Sequence, residues 1–265
     1  MDEKEESRRE SPDFDPTLPG TFRTSGIPHP ILSLKRRVEG ILFDMGFAVE
    51  DGGEIQNLYD FFQALNTSPD QPDEEAGEPF RIDEERILRA HAFPALIRAA
   101  QNRKPPIQIA FCGKVYQRVA PSLERLPQGF DFQALLIDKG ITFAHLKGAV
   151  EAFLKSLYPE KRALRFRPLS LPYAGPAVSV EISCSLCRGR GEDCPLCGGR
   201  GGLELVHAGM IDPQVFKQMS IDPERFSGFA FGMSIDQAAR LFYREPDLTI
   251  LYRNDAKVLS EINHP

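Results

Sequence analysis

The apolar positions of the chain fall first into helical patterns. An amphipathic helix is predicted over Pro30–Gly46, where one face carries Ile31, Leu34, Val38, Ile41 and Leu42. Another spans Phe143–Leu157, and the last long helical pattern runs over Ile235–Tyr243. Shorter helical patterns, the second interrupted or restarted at Pro94, cover Tyr59–Leu65, Glu84–Ala100, Pro213–Gln218 and Asp255–Glu261.

Short apolar runs between these helices predict β-strands. They lie at Phe47–Val49, Ile107–Phe111, Val115–Gln117, Phe132–Ile137, Ala163–Pro168, Leu203–Ala208 and Gly228–Met233. Hairpin-like gaps and long insertions separate these strands, where a doubly wound fold would place regular helices. The prediction is therefore an α+β fold with a mostly antiparallel sheet.

Two polar stretches stand outside these patterns. Residues 1–18 are charged, contain prolines and are poor in apolar residues, so we expect a disordered tail before a core over residues 19–265. Ser68–Pro79 is acidic and contains three prolines, which favours a surface loop.

Length and charge narrow the classes of protein. A chain of 265 residues is long enough for one large or two modest domains. The net charge of −6 argues against broad nucleic-acid binding, although it leaves room for a local basic patch. No apolar run reaches about eighteen residues, so we expect no membrane span. Met1–Glu10 lacks the apolar segment of a secretory signal, and a cytoplasmic protein is expected.

Four of the five cysteines are clustered, which indicates a metal site rather than a disulfide framework. The pattern C-x-x-C-x-G-x-G occurs twice, ten residues apart, and resembles the zinc repeats of heat-shock co-chaperones. Its cysteines are Cys184, Cys187, Cys194 and Cys197. Each pair can form a tight knuckle, and two knuckles complete a closed tetrahedral shell, so we expect a structural zinc hairpin over residues 183–202. The alternative is four free or redox-active thiols.

Arginines decorate the tip of this predicted hairpin, at positions 188, 190 and 200. They suit an acidic partner, but solvated side chains are the simpler interpretation.

The apolar run Gly228–Met233 leads directly into the helix Ile235–Tyr243. An adenylating enzyme lays a nucleotide against a sheet in this way, and the stretch resembles motif 3 of class II aminoacyl-tRNA synthetases. The form is that of the phenylalanyl-tRNA synthetase α subunit.

Further short matches to that subunit follow in the family's order, from about residue 18 to the C-terminus. They are Leu18–Gly20, His29-Pro30, Gly46–Val49, Leu88–His91, Gly113–Tyr116, Arg165–Pro168, Gly209–Pro213 and Ile221–Glu224. The resemblance implies a class II core, an antiparallel sheet flanked by helices, into which the cysteine hairpin is inserted. It also implies an ATP site and a homodimer through the motif 1 helix that begins at His29-Pro30.

The nucleotide positions depart from the family pattern. The resemblance places an arginine and an acidic residue of motif 2 at Gln117 and Val119, and the arginine of motif 3 at Gln237. Arginine matters there because its planar fork binds phosphate oxygens bidentately. By analogy with other phosphoryl transfers, each loss is expected to cost on the order of 10³-fold in rate. Arg118 and Arg240 are conceivable replacements, but a surface or salt-bridge role is favoured for both.

The amino-acid pocket implied by the resemblance has changed as well. Its positions fall on His91, Asp131, Gln133, Leu171, Tyr173 and Ala230. The acidic Asp131 keeps recognition of a cationic amine open. For Leu171, core packing is as good an interpretation as a pocket role. For His91, an ordinary hydrogen-bonded histidine is as good an interpretation as a ligand-binding one.

Three functions compete on this sequence. The favoured one is a paralog that has lost adenylation and binds an amino-acid-like small molecule or a partner. The second is a repurposed ATP-dependent ligase that activates an amino or aromatic acid for a non-tRNA acceptor. The third is a true synthetase subunit compensated by a partner chain. The cysteine hairpin, and the lack of a counterpart to the family's N-terminal coiled coil, argue against tRNA as a partner.

Overall fold

The structure is a computed structural model that describes Gly26 and residues 28–68, 78–101 and 103–262. The predicted tail over residues 1–18 lies outside the described residues, as does the match at Leu18–Gly20. Most of the predicted surface loop Ser68–Pro79 lies outside them too.

The described residues form helices and strands in a mixed order. The helices are α1 (Pro30–Asp44), α2 (Leu58–Ala64), α3 (Phe93–Ala100), α4 (Phe143–Leu157), α5 (Pro213–Gln218), α6 (Ile235–Tyr243), α7 (Leu248–Tyr252) and α8 (Ala256–Glu261). The strands are β1 (Ala48–Glu50), β2 (Ile55–Asn57), β3 (Arg86–Leu88), β4 (Ile107–Tyr116), β5 (Gln128–Asp138), β6 (Leu164–Leu171), β7 (Ala174–Ser183), β8 (Gly202–Ile211) and β9 (Ser227–Ser234).

Seven strands form one sheet in the order β1-β4-β5-β9-β8-β7-β6. The pair β1–β4 is parallel, whereas the other five neighbouring pairs of this sheet are antiparallel. Strands β2 and β3 form a separate antiparallel pair. The predicted α+β fold with a mostly antiparallel sheet is therefore confirmed.

Helices cover both faces of this sheet, because alternate residues of its central strands are apolar on each side. Phe229 and Phe231 of β9 pack on one face with α1, α4 and α6. Ala230, between them, points to the other face and packs with α2, α3 and α5. Phe231 makes edge-to-face ring contacts with Phe132 and Phe153, at centroid distances of 5.8 Å each. None of the helices in the described part of the chain is long and apolar enough to cross a membrane.

The prediction of one interrupted helix over Glu84–Ala100 is wrong in its first part. Arg86–Leu88 is the strand β3, which pairs with β2 and donates the Leu88 amide to the carbonyl of Phe80 at 2.8 Å. Helix α3 begins at Phe93, whose amide donates to Nδ1 of His91 at 3.1 Å. Pro94 therefore lies in the first turn of a new helix, where its missing N–H costs nothing.

Two predicted strands, Ile107–Phe111 and Val115–Gln117, belong to one continuous strand, β4, which ends at Tyr116. Its partner β5 pairs with it residue for residue from Ile107 to Tyr116, so Gly113 does not interrupt the ladder. Strands β2 and β7 and helix α7 were not predicted at all. Near its start, strand β7 contains Gly175-Pro176, which has the composition of a turn.

Candidate functional site

A cavity of about 510 Å³ opens where the central strands β5, β8 and β9 meet the beginning of α6. Its other wall is the β4–β5 loop, which we define as residues 117–127. The site therefore uses strand ends of the sheet as a floor, with a loop and a helix N-terminus beside it.

Six of the ten predicted pocket and nucleotide residues line this cavity: His91, Gln117, Asp131, Gln133, Tyr173 and Gln237. The other four do not line it: Val119, Leu171, Ala230 and Arg240. Leu171 and Ala230 lie in the same apolar core cluster as Tyr173. This agrees with the packing interpretation of Leu171 and corrects the prediction of Ala230 as a pocket residue.

Two carboxyl groups form an acidic centre in the cavity. Asp236, buried at the start of α6, accepts the Phe130 amide at 2.9 Å and the Tyr252 hydroxyl at 2.8 Å. Burial raises the pKa of Asp236 to about 7, against these two hydrogen bonds. Burial and the charge of Asp236 raise the pKa of Asp131 to about 7 as well. Both carboxyls therefore change protonation state near neutral pH rather than near pH 4.

An aromatic wall stands beside the acidic centre. Tyr173 packs on Phe93 with ring centroids 4.6 Å apart and lies 6.0 Å from the ring of His91. Because Nδ1 of His91 accepts the Phe93 amide, a neutral His91 carries its proton on Nε2. Across the cavity, Nε2 of His207 lies 3.0 Å from the carboxylate of Glu204.

Gln117 lies in the cavity wall with both ends of its amide in use. Its Nε2 donates to the carbonyl of Ala90 at 2.9 Å, and its Oε1 accepts from Arg125 at 2.7 Å. Arg125 is the one lysine or arginine among the described residues that line the cavity. Sequence reasoning missed Arg125, because the loop that folds it back onto Gln117 has no recognisable pattern.

Gln237 belongs to a buried network centred on Arg240. The guanidinium of Arg240 donates to Gln237 Oε1 at 2.9 Å, to Glu124 Oε1 at 3.0 Å and to the carbonyl of Pro246 at 3.1 Å. The side-chain amide of Gln237 also donates to the backbone carbonyl of Glu124. Arg240 is 2% exposed, and this geometry is that of a structural salt bridge.

The four predicted cysteine ligands are buried together between β7 and β8. Sulfur–sulfur distances are 3.7 Å for Cys184–Cys194 and 3.8 Å for Cys187–Cys197, and all four sulfurs lie within 4.8 Å of one another. Tetrahedral sulfurs bound to zinc at about 2.3 Å lie about 3.8 Å apart. The cluster therefore has the donor set and the size of a metal site.

The two knuckles repeat each other in backbone geometry. Gly191 donates its amide to the sulfur of Cys187, and Gly201 donates to that of Cys197, both at 3.3 Å. These glycines have φ of +87° and +78°, where side chains are disfavoured. A Cβ on Gly191 would also approach the carbonyl oxygen of Gly199 to 2.5 Å. The repeated glycines of the sequence pattern are thus required by the turn.

The tip arginines are partly used within the hairpin. The Nε of Arg190 donates to the carbonyl of Cys187 at 3.3 Å, and that of Arg200 donates to the carbonyl of Cys197 at 3.1 Å. Both side chains therefore fasten the ends of their own knuckles.

Comparison with known proteins decides the family. Residues 13–262 match the family model described as tRNA synthetases class II core domain (F). The chain belongs to this family. The class II core is 37% identical over 258 residues to the phenylalanine–tRNA ligase alpha subunit of Syntrophus aciditrophicus, covering 97% of this chain and 75% of that protein. The alpha subunit of Alkaliphilus metalliredigens is 35% identical over 260 residues, with coverages of 98% and 76%.

Solved structures show the same fold at lower identity. The crystal structure of pyrrolysyl-tRNA synthetase from Desulfitobacterium hafniense superimposes with a TM-score of 0.61 at 14% identity, covering 84% of this chain and 73% of that one. The resemblance drawn from short motifs is confirmed, including its relation to the phenylalanine-specific alpha subunits.

Proposed function

We propose that this class II core binds a small amino-acid-like ligand in its cavity and has lost the adenylation and tRNA charging of its relatives. The observation that supports this most directly is the presence of Gln117 and Gln237 at the cavity. The resemblance places phosphate-binding arginines at both positions.

The physical reason is the charge of the triphosphate. A guanidinium neutralises phosphate charge and donates two parallel hydrogen bonds, whereas a glutamine amide is neutral. Here both amides are already hydrogen-bonded to the protein, Gln117 to Ala90 and Arg125, and Gln237 to Glu124 and Arg240. Loss of both cations is expected to reduce transfer by several orders of magnitude.

The remaining groups suit a ligand with a cationic amine. Asp131 and Asp236 lie at the floor, and Glu124 and Glu204 also line the cavity. An ammonium group favours the ionised form of these carboxyls and would be held by charge-assisted hydrogen bonds. Tyr173 offers an aromatic face to the rest of the ligand.

We propose that the cysteine cluster holds one structural zinc ion. Four thiolates complete a closed shell, so the metal has no open position for substrate and supplies only fold stability. Free buried thiols in this arrangement also suit a reducing compartment such as the cytoplasm.

We propose further that the class II core pairs with a second copy through the motif 1 surface. Three exposed apolar side chains lie on α1 and the neighbouring edge strand β1: Leu32 is 41%, Phe43 73% and Val49 38% exposed. Exposed patches of this kind mark interaction surfaces. The relatives are named alpha subunits, so a different subunit is the competing partner.

Two assays on the purified protein test the proposed function. ATP–pyrophosphate exchange is measured across the amino acids and a panel of aromatic carboxylic acids, and a thermal-shift screen uses the same compounds. We expect no exchange, and a raised melting temperature with an amine-bearing compound. That shift should disappear in Asp131→Asn and persist in the control Glu151→Gln, on the far helix α4. Exchange with any acid would overturn the loss of adenylation.

A repurposed ligase is the second candidate, and Arg125 is the observation that favours it. Its guanidinium lies at the cavity 2.7 Å from Gln117 Oε1, where it can reach an anionic ligand. If the exchange assay is positive, Arg125→Gln should abolish it. Arg118→Gln, whose arginine pairs with Glu78 outside the cavity, should leave it intact.

A further inference from the structure

One buried side chain joins the cysteine cluster to the cavity. We propose that Arg240 is a positioning residue through which the metal-loaded cluster holds the β4–β5 loop against the cavity. This inference rests on the zinc site and the ligand cavity of the proposed function. It makes the occupancy of the metal site a determinant of the cavity wall.

The first half of this connection runs from the cluster to α6. The hydroxyl of Ser185 donates to the carbonyl of Leu241 at 2.7 Å. Leu196, which lies between the ligands Cys194 and Cys197, is fully buried, and its carbonyl accepts from Nη2 of Arg240 at 3.4 Å. The second knuckle therefore packs directly on the helix that carries Arg240.

The second half runs from Arg240 to the loop. The same Nη2 donates to the carboxylate of Glu124 at 3.0 Å, and Nη1 holds Gln237, which in turn contacts the Glu124 backbone. Glu124 and Gln237 both line the cavity. The neighbouring Leu123 carbonyl accepts the amide of Leu248, which also lines it.

The burial of Arg240 makes this connection sensitive to the metal. Its side chain is 3% exposed, whereas that of Glu124 is 51% exposed, so the buried guanidinium is the group against which the exposed carboxylate is held. A guanidinium in the interior needs its full set of acceptors, because an unpaired buried charge is costly. Without metal, the four thiols are held together only by the hairpin and by hydrogen bonds such as those from Gly191 and Gly201, so we expect the knuckle that presents the Leu196 carbonyl to loosen. Arg240 then loses that acceptor and keeps those at Pro246, Gln237 and Glu124, so its guanidinium is held less rigidly, and Glu124 with it.

Hydrogen exchange of the full-length protein, followed by mass spectrometry with and without a zinc chelator, measures this coupling. Metal removal is expected to speed exchange of backbone amides in residues 117–127 at least fivefold. Exchange in the centre of β4 and β5 should stay unchanged. The Glu124→Gln variant should retain the metal. Its loop amides should exchange at the faster rate already with the metal bound, and chelation should not increase that rate further. Glu78→Gln removes the exposed ion pair of Arg118, at the start of the same loop, but keeps the backbone hydrogen bond from the Arg118 amide to the Glu78 carbonyl. It is the matched control and should exchange as the wild type does, because an exposed ion pair contributes little.

These outcomes distinguish a failure of the zinc site from a failure of the coupling between the zinc site and the loop. A purified protein without stoichiometric metal would contradict the zinc site itself. A metal-loaded protein whose loop exchange ignores both chelation and Glu124→Gln would overturn the coupling and leave the zinc site standing. If chelation unfolds the whole chain, the coupling is tested without chelator, by measuring loop exchange in the metal-loaded Glu124→Gln and Arg240→Lys variants. Wild-type loop exchange in both of them would refute the positioning role of Arg240.

Discussion

Tyr252 donates its hydroxyl hydrogen to Oδ1 of Asp236 at 2.8 Å, across the bend between α6 and α7. This contact fixes the carboxyl that faces Asp131 inside the cavity. Both acids have a pKa raised to about 7, from a usual value of 3.8, mainly by burial. They therefore link the stability of the fold, and the charge of the cavity, to pH.

The first prediction concerns this pH dependence. Between about pH 4 and pH 7 the native state retains protons on Asp131 and Asp236 that the unfolded chain has lost. Stability must therefore fall as pH rises through this window, and the penalty is complete above it. Asp131→Asn removes one titrating group, so its free energy of unfolding should decline less between pH 4.5 and 7.5, by on the order of 1 kcal/mol.

Denaturant unfolding at several pH values measures this difference. Asp44→Asn, which changes an exposed carboxyl at the end of α1, is the control and should follow the wild-type profile. Parallel profiles for wild type and Asp131→Asn would rule out Asp131 as the titrating group.

The second prediction concerns the metal. Cys197→Ser should lower the zinc content from about one ion per chain to nearly none and reduce the melting temperature strongly, because a structural site contributes folding energy. Cys112→Ala changes the fifth cysteine, which is buried in the sheet, and should keep the zinc. Elemental analysis and thiol titration measure both. A folded wild-type protein with four reactive thiols and no metal would be incompatible with the site.

The elements that sequence predicted best are those whose signals are local. Helix α4 is found at the predicted bounds Phe143–Leu157, because its apolar period and its start are contained in one stretch. The Thr142 amide at that start donates to Nδ1 of His145 at 3.1 Å. Strand β7 was missed because Gly175-Pro176 near its start favours a turn, although Val178, Val180 and Ile182 alternate with polar residues as in a strand.

The site residues differ in the same way: those with local signals were predicted, and those with distant partners were not. The cysteine cluster was predicted residue by residue, since four ligands within one hairpin need only the spacing of the chain. The sequence favoured a surface or salt-bridge role for Arg240 but could not name the partner, because Glu124 is 116 residues away and belongs to a loop without a pattern. Arg125 was missed for the same reason. Resemblance to the family's motifs located six cavity residues, because it carries over the three-dimensional arrangement of a whole fold. Periodicity predicts only individual helices and strands.

The third prediction concerns assembly through α1. Phe43 is 73% exposed, so Phe43→Glu should leave the melting temperature nearly unchanged, within the small range usual for surface substitutions. If this surface forms the proposed homodimer, the introduced charge should weaken association more than tenfold. Sedimentation equilibrium over a range of concentrations measures the dissociation constant. Tyr59→Glu, at another exposed aromatic residue on α2, is the matched control.

A wild type that is monomeric at micromolar concentration would contradict the homodimer and favour a different subunit as the partner. Equal weakening by both variants would instead indicate that contact surfaces extend beyond α1.

The fourth prediction tests whether the missing phosphate charge explains the loss of adenylation. Gln117→Arg places a second guanidinium beside Arg125 in the cavity wall, so affinity for a polyphosphate should rise. With ATP and Mg²⁺ at about ten times the new dissociation constant, the stabilisation is about 1.4 kcal/mol. That corresponds to a rise in melting temperature of roughly 3 to 5 °C. The wild type should show no comparable shift.

Gln128→Arg provides the matched control, because Gln128 is exposed on β5 and does not line the cavity. It adds the same charge at a nearby position, and any general attraction of ATP to a more basic protein would appear there as well. A shift in Gln117→Arg alone would assign the effect to the cavity position. An equal ATP shift in the wild type would mean that the nucleotide site works with glutamine, through Arg125. The repurposed ligase would then become the better account of this class II core.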